Sequence, residues 1–386
     1  MTTLQPLSLY VHLPWCVRKC PYCDFNSHAL KAGLPEREYI DALLRDLDFD
    51  LPRVAGRRIE TVFFGGGTPS LFSAEAIARL LTETRRRIQF AVDAEITLEA
   101  NPGTVEHGRF AEYKAAGITR LSIGVQSFDP QQLTRLGRIH SVDEALRAAD
   151  EAHAAGLDNF NLDLMYGLPE QTPEQAEDDV RSAIALSPAH LSHYQLTLEP
   201  NTLFYAQPPS LPEEDSIWAM QQRCQSLLND NGYLQYEISA YAHSGRRCRH
   251  NLNYWRFGDY LGIGAGAHGK LTDTDGTRWR IWKVKHPASY LRDAGSPAGI
   301  GGLDAVTATE LGFEFMLNRL RLMDGFTETE FRTASGQDFD SVRPAAERAM
   351  TLGLMERLDE GWQVTRRGHD YLNELQQLFL PAAGKS

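Results

Sequence analysis

A chain of 386 residues is long enough for two or three domains, and 42% hydrophobic with 23% charged residues is an ordinary soluble globular composition. A formal net charge of -12 leaves no basic footprint for a phosphate backbone, and no apolar run approaches the ~20 residues of a membrane-spanning helix, so neither nucleic acid nor a spanning segment is expected. The N-terminus has no basic start or cleavage site, and five cysteines with three in one loop do not form a disulfide framework; a reducing compartment is expected, most simply the cytoplasm.

The first apolar run, Leu7–Leu13, reads as a strand and leads straight into the stretch Tyr10–His28, which holds Cys16, Cys20 and Cys23. Thiolates are soft ligands, and a close set in one loop suits zinc, an iron–sulfur cluster or a redox pair. Zinc is the weaker fit because no second CxxC or HxxxH pair follows, and a redox CxxC has no use for Cys16. Cys224 and Cys248 stand alone and read as small buried hydrophobes.

Further apolar runs follow at Ile59–Phe64, Glu95–Glu99, Arg120–Val125, Asn159–Met165 and His190–Leu198, separated by amphipathic segments. Ser73 precedes the stripe Ile77, Leu80, Leu81 and Ile88; Ser141 with Glu144 and Thr172 with Gln175 read as capping boxes. Six βα units imply a parallel sheet, either open or a partial barrel, with functional residues at the carboxyl ends of its strands. The cysteine loop, Gly65-Gly66-Gly67-Thr68-Pro69, Glu99-Ala100-Asn101-Pro102, Gly124–Phe128 and Asp163–Pro169 all occupy such positions. Five polar strand ends in a row point to one shared site.

From about residue 205 the pattern breaks. Tyr236–Ala242 alternates as one half-buried strand, Arg249–Trp255 is dense in polar and aromatic groups, and Tyr260–Gly269 reads as a flexible glycine-rich loop. His250 sits in a set that is expensive to bury without purpose, and His268 is a second candidate ligand. From Leu303 onward, helices followed by a hairpin at Leu354–Val364 suggest a winged-helix-like module; its acidic balance does not support DNA binding. The expected divisions are 1–205, 206–302 and 303–386.

The spacing CxxxCxxC, with Tyr22 before the last cysteine, resembles the radical S-adenosylmethionine (SAM) superfamily, and the chain as a whole resembles its HemN/HemW branch. That resemblance implies a (β/α)6 partial barrel with an extension and a C-terminal module. It also implies that Cys16, Cys20 and Cys23 hold three irons of a 4Fe-4S cluster whose fourth iron binds SAM. Tyr10, Tyr22, Gly66, Gly67, Thr68, Glu99, Gln126, Arg138 and Asp163 match positions that contact SAM in the branch. The branch contains coproporphyrinogen III dehydrogenases, which carry a further cysteine two residues past the third and an N-terminal arm. Here Phe25 stands at that position and Cys16 comes almost at once. Asp24–Ser27 and the HNxNYW stretch at His250–Trp255 are similar to the heme-chaperone subgroup. Heme is then a further expected cofactor, with His250 at its site, together with a heme acceptor protein and an electron donor as partners. The dehydrogenase and a non-radical 4Fe-4S scaffold or sensor are the alternatives.

Overall fold

The computed structural model describes residues 5–31, 33–54, 56–104 and 108–381. All six apolar runs form strands: β1 (Leu7–Leu13), β2 (Ile59–Gly66), β3 (Phe90–Ala100), β4 (Arg120–Gln126), β5 (Phe160–Tyr166) and β6 (His190–Gln195). They pair in chain order and all in parallel. Parallel strands are covered on both faces, and β1 shows the result: Leu7, Leu9, Val11 and Leu13 are buried on one face, and Ser8 and His12 on the other.

The helices between them start where the sequence places their caps. Ser73 accepts a hydrogen bond from the Ala76 amide at the head of α1 (Ala74–Arg87), and both capping boxes close, at Ser141/Glu144 for α2 (Val142–Ala154) and Thr172/Gln175 for α3 (Pro173–Ala185). A cap of this kind contributes about 1 kcal/mol. Burial contributes more: Ile77, Leu80 and Leu81 of α1 face the sheet, at about 1.5–3 kcal/mol for each side chain.

Two expectations for the extension are corrected. Tyr236–Ala242 is not one strand but an antiparallel hairpin of β7 (Leu234–Glu237) and β8 (Ala240–Ala242), laid against β6. A tight reversal leaves strand-forming residues on both arms, so composition hides it. Nor is Tyr260–Gly269 a flexible loop. It carries most of β9 (Asp259–Ile263) and the start of β10 (His268–Thr272). The reason for its glycines is close backbone approach: a Cβ on Gly262 would stand 2.0 Å from the His268 carbonyl oxygen.

Strand β9 is a seventh parallel strand, lying on the edge of β1 away from β2. Beyond it β10, β11 (Arg278–Lys283) and β12 (Ile300–Ala305) continue antiparallel. The sheet of twelve strands therefore runs β12-β11-β10-β9-β1-β2-β3-β4-β5-β6-β8-β7 and is open at both ends.

A buried ion cluster ties this extension to the helix Glu36–Asp50. Lys283 of β11 is 1% exposed and its Nζ donates to the carboxylates of Asp46 and Asp50. Asp46 also accepts from the Tyr290 hydroxyl at 2.6 Å and from the Gly264 amide at 3.2 Å. Downstream, the helices Ala308–Arg319, Glu328–Ser335 and Arg343–Thr351 precede the hairpin Met355–Leu358/Gly361–Val364, the element order of a winged helix. Phe315, Phe331, Phe339 and Trp362 form its core, which Phe257 of the extension joins.

Candidate functional site

The carboxyl ends of β1 to β5 meet at one lobe, and the loop after β1 forms its lid. That loop is pinned by backbone hydrogen bonds: the Gly67 amide donates to Leu13 and the Thr68 amide to Trp15, both at 2.8 Å, while the His28 amide donates to Pro14 at 2.7 Å. A Cβ on Gly67 would lie 2.5 Å from the Trp15 carbonyl oxygen, so this contact admits only glycine. Cys16, Cys20 and Cys23 line the lobe, which encloses about 280 Å³.

Eight of the nine residues expected to contact SAM line the same lobe: Tyr22, Gly66, Gly67, Thr68, Glu99, Gln126, Arg138 and Asp163. The ninth, Tyr10, lines an adjoining cleft instead. Arg138 reaches back to the cysteine loop, its Nη1 donating to Cys20 Sγ at 3.7 Å and its Nη2 to the Gly124 carbonyl at 2.6 Å. Its Nε is buried without a partner. Gln126 adopts φ of 73°, a left-handed conformation rare for a residue with a side chain, and accepts from the Tyr194 hydroxyl at 2.7 Å. Ser122 and Tyr194, which sequence reading missed, lie in the same lobe. Ser122 lies four residues before Gln126 on β4, and Tyr194 lies on β6, a strand in which the sequence marks no site residue.

Two carboxyls set the electrostatics. Asp163 accepts from Asn161 Nδ2 at 2.8 Å and Ser122 Oγ at 3.3 Å, yet burial still pushes it above the usual carboxylate range. Glu99 accepts from the Gly66 amide at 3.2 Å and is pushed up to about 8, first by burial and then by the nearby Asp163. A carboxyl raised in the folded state binds more protons there than in the unfolded chain. Its contribution is therefore present at low pH and is lost as pH rises through about 8. Glu99→Gln should thus gain stability on the parent cluster-free protein between about pH 6 and about pH 8, on the order of 1 kcal/mol after allowance for partial exposure. Parallel urea-unfolding profiles across that range would contradict a protonated Glu99.

The adjoining cleft, of about 740 Å³, shares Lys19, Phe25, Ser27, Gly66 and Glu99 with the lobe. Its lining includes the aromatic residues Tyr254, Trp255, Phe257 and Tyr260, and also His28, His268 and Lys285. Asn26 locks one side, its Nδ2 donating to the carbonyls of Ala265 and Lys285 at 2.9 Å each. His268 faces this cleft, as its glycine-rich surroundings suggest. His250 does not. It is 1% exposed within the helix Arg249–Trp255, its Nδ1 meets Thr61 Oγ1 at 2.7 Å, and its Nε2 meets the Tyr254 hydroxyl at 2.8 Å. Both ring nitrogens are occupied, so His250 offers no free lone pair to the cleft, and its partner Tyr254 stands there instead.

Among the described residues no group of three or more His, Cys, Asp or Glu is gathered for a single metal ion. The sequence model of the Radical SAM superfamily matches residues 10–183, and that of the HemN C-terminal domain matches residues 306–370. Heme chaperone HemW of Escherichia coli is 52% identical over 380 residues, covering 98% of this chain and 100% of that one. The chain belongs to the HemW family of the radical SAM superfamily. Kinship within HemW extends to the Haemophilus influenzae protein, 51% identical over 384 residues with 98% and 99% of the two chains covered. The solved structure of E. coli coproporphyrinogen III oxidase, HemN, superposes with a TM-score of 0.83 at 24% identity over 97% of this chain and 90% of that one, and shares its fold. Membership of the superfamily implies a 4Fe-4S cluster and SAM. The donor set fits both: three thiols for iron, and a glycine cradle with two partly buried carboxyls beside it for an amino acid moiety. No helix among the described residues is long and apolar enough to cross a membrane.

Proposed function

We propose that this chain is a heme chaperone: it binds a 4Fe-4S cluster and SAM in the cysteine lobe, takes heme in the adjoining cleft, and passes it to an acceptor protein. Cys16, Cys20 and Cys23 hold the cluster, and Tyr22, Gly66, Gly67, Thr68, Glu99, Gln126, Arg138 and Asp163 hold SAM, with Tyr10 at the junction. When bound, this pair supplies one-electron cleavage of the sulfonium carbon–sulfur bond, for which an electron donor is needed. The protein's part is to orient SAM and exclude water. Gly66 and Glu99 line both cavities, which supports a reading with the two ligands side by side.

The observation that carries this reading is the kinship, at 52% identity over 98% of the chain, with a protein named heme chaperone HemW. The cleft supports it physically: aromatic walls suit a porphyrin face, and Lys19 and Lys285 at its edge suit propionates. Phe25, which is 60% exposed between the two cavities, occupies the place of the dehydrogenases' further cysteine. All five cysteines are free thiols, which suits a reducing compartment, the cytoplasm.

The test is a heme titration of the anaerobically rebuilt protein followed by transfer to a heme-free acceptor. Saturable uptake near one heme per chain, with restored acceptor absorbance, is the expected result. Protoporphyrinogen formed in proportion to SAM consumed, from coproporphyrinogen III and a reductant, would favour the dehydrogenase instead.

A further inference from the structure

A buried polar knot lies behind the carboxyl ends of β4 and β5. Ser127, Gln132, Gln171 and Asp179 are each at most 4% exposed, and none of them lines the lobe or the adjoining cleft. Asp179, on the second turn of α3, accepts from the Phe128 amide at 2.6 Å, from Ser127 Oγ at 2.8 Å and from Gln171 Nε2 at 3.5 Å. Ser127 Oγ in turn accepts from the Asp129 amide at 3.0 Å, and Asp129 caps the helix Pro130–Arg135. Gln171 Oε1 accepts from the Leu168 amide at 3.1 Å, while Gln132 Nε2 and Arg135 Nη1 donate to the Pro169 carbonyl at 3.1 and 2.6 Å. The loops that leave β4 and β5 are thus tied together around one carboxyl.

The backbone beside it is irregular. The pairing of β4 with β5 shifts register between Gly124 and Gln126, and the bulge re-aims the Gln126 side chain, which lines the lobe. Its φ of 73° is a strained conformation that persists only where the surroundings over-determine it. Ser127 and Phe128, the next two residues, are the ones that Asp179 grips. All three of its donors are neutral, and a carboxyl held by neutral donors alone is costly to bury, so packing α3 against the sheet is no reason for an acid here.

We propose that Asp179 is a positioning residue for the lobe: it holds the turn at Ser127 and Phe128 shut and so keeps Gln126 in its left-handed conformation with its side chain in the lobe. The functional half of this rests on the reading of the lobe as the SAM site, to which it adds a residue from outside that site. The same turn leads into the helix Pro130–Arg135 and on to Arg138, so a second polar side chain of the lobe is set from the same anchor. Ionised, the carboxylate accepts from the Ser127 hydroxyl and the Phe128 amide at once, one oxygen to each. The hydroxyl can turn to another partner, but the amide cannot, and its loss frees the turn to relax out of the strained conformation.

Two measurements on the full-length protein test it, both at about pH 8, where Asp179, pushed up to about 7 chiefly by burial with Asp129 and Asp178 adding to the shift, is ionised. In the cluster-free protein, amide exchange is followed across residues 124–135. Asp179→Leu removes both acceptors at nearly constant volume and should speed exchange about tenfold or more on either side of Phe128. Adding Gln126→Gly should bring that exchange back to within about threefold of the parent, because glycine takes the left-handed conformation without being held. In the cluster-loaded protein, calorimetry with SAM should show about tenfold weaker binding for Asp179→Leu at unchanged iron content. Asp178→Asn, which removes the exposed neighbouring carboxyl, should bind as the parent does. Asp179→Asn, whose amide oxygen can still accept from Phe128, is the milder variant and should fall between. No rescue by glycine would reduce Asp179 to an anchor of α3 and overturn the proposal, as would SAM binding in Asp179→Leu equal to that of the parent. A parent protein that binds no SAM would overturn the SAM reading and the functional half of the proposal with it, while the exchange rates decide separately whether Asp179 holds Gln126.

Discussion

Replacing Cys20 with serine is expected to leave the anaerobically rebuilt protein without the brown absorbance of a 4Fe-4S cluster, while its far-ultraviolet circular dichroism stays that of the parent. Three thiolates are the fewest that can hold such a cluster in this lobe, and a serine hydroxyl is a hard, weakly acidic substitute for a soft one. The site gives Cys20 a particular place, since its sulfur is the one that Arg138 contacts. Cys16 and Cys23 are pushed above their usual range by burial, so iron has to displace their protons, and losing one ligand leaves too few to drive that. Cys224 and Cys248 are the controls. Both are fully buried and pushed up to about 12, chiefly by burial, which keeps them as inert thiols. Cys224→Ser and Cys248→Ser should keep the full chromophore. Full iron and sulfide content in Cys20→Ser would remove it from the ligand set.

Lys283→Met should lower the unfolding free energy by about 3–5 kcal/mol, the usual cost of breaking a buried ion pair from one side. The substitution leaves Asp46, 2% exposed, without a cation, and the fully buried Asp50 with only Arg53, 3.5 Å away. Part of the loss should return when Asp46→Asn and Asp50→Asn are added, because the charges left behind are the cause. The effect should reach the cleft as well. Asp46 holds the Gly264 amide and Tyr290, and Tyr39 bridges the His12 carbonyl and the Ala265 amide at 2.9 Å each, so the same cluster fixes the loop that Asn26 grips. Urea unfolding of the cluster-free protein measures the first effect, and a change below about 1 kcal/mol would show that the ion cluster is not a net stabiliser.

The parallel strands were legible because apolar residues recur at every second position, as in Leu7, Leu9, Val11 and Leu13, between segments of helical period. The cysteine loop was legible because metal chemistry restricts residue type and spacing together. Strand β9 was not. Gly262 and Gly264 meet other backbone at distances no side chain tolerates, and in a sequence that demand looks the same as a flexible loop. His250 shows a second limit. Its type and neighbours mark a polar site, but whether a ring nitrogen faces a cavity or a threonine depends on the partner strand, which lies 189 residues away in the chain. The strand-end positions gathered at the lobe follow from topology alone, whereas Tyr10 went to the neighbouring cleft because its hydroxyl bonds His12 at 3.0 Å on the same strand.

The pairing of β1 with β9 also bears on how the chain is made. Strand β1 is the first to be synthesised, and the partner for one of its edges, Asp259–Ile263, comes only after five other parallel strands have joined the sheet. Contacts this distant in sequence close late, since loop-closure entropy must be met before they contribute. Until then the backbone groups of Leu7–Val11 on that side are an unpaired sheet edge beside apolar side chains, the kind of edge that recruits other chains. The extension is therefore a seal for the edge of β1 as much as a wall for the cleft.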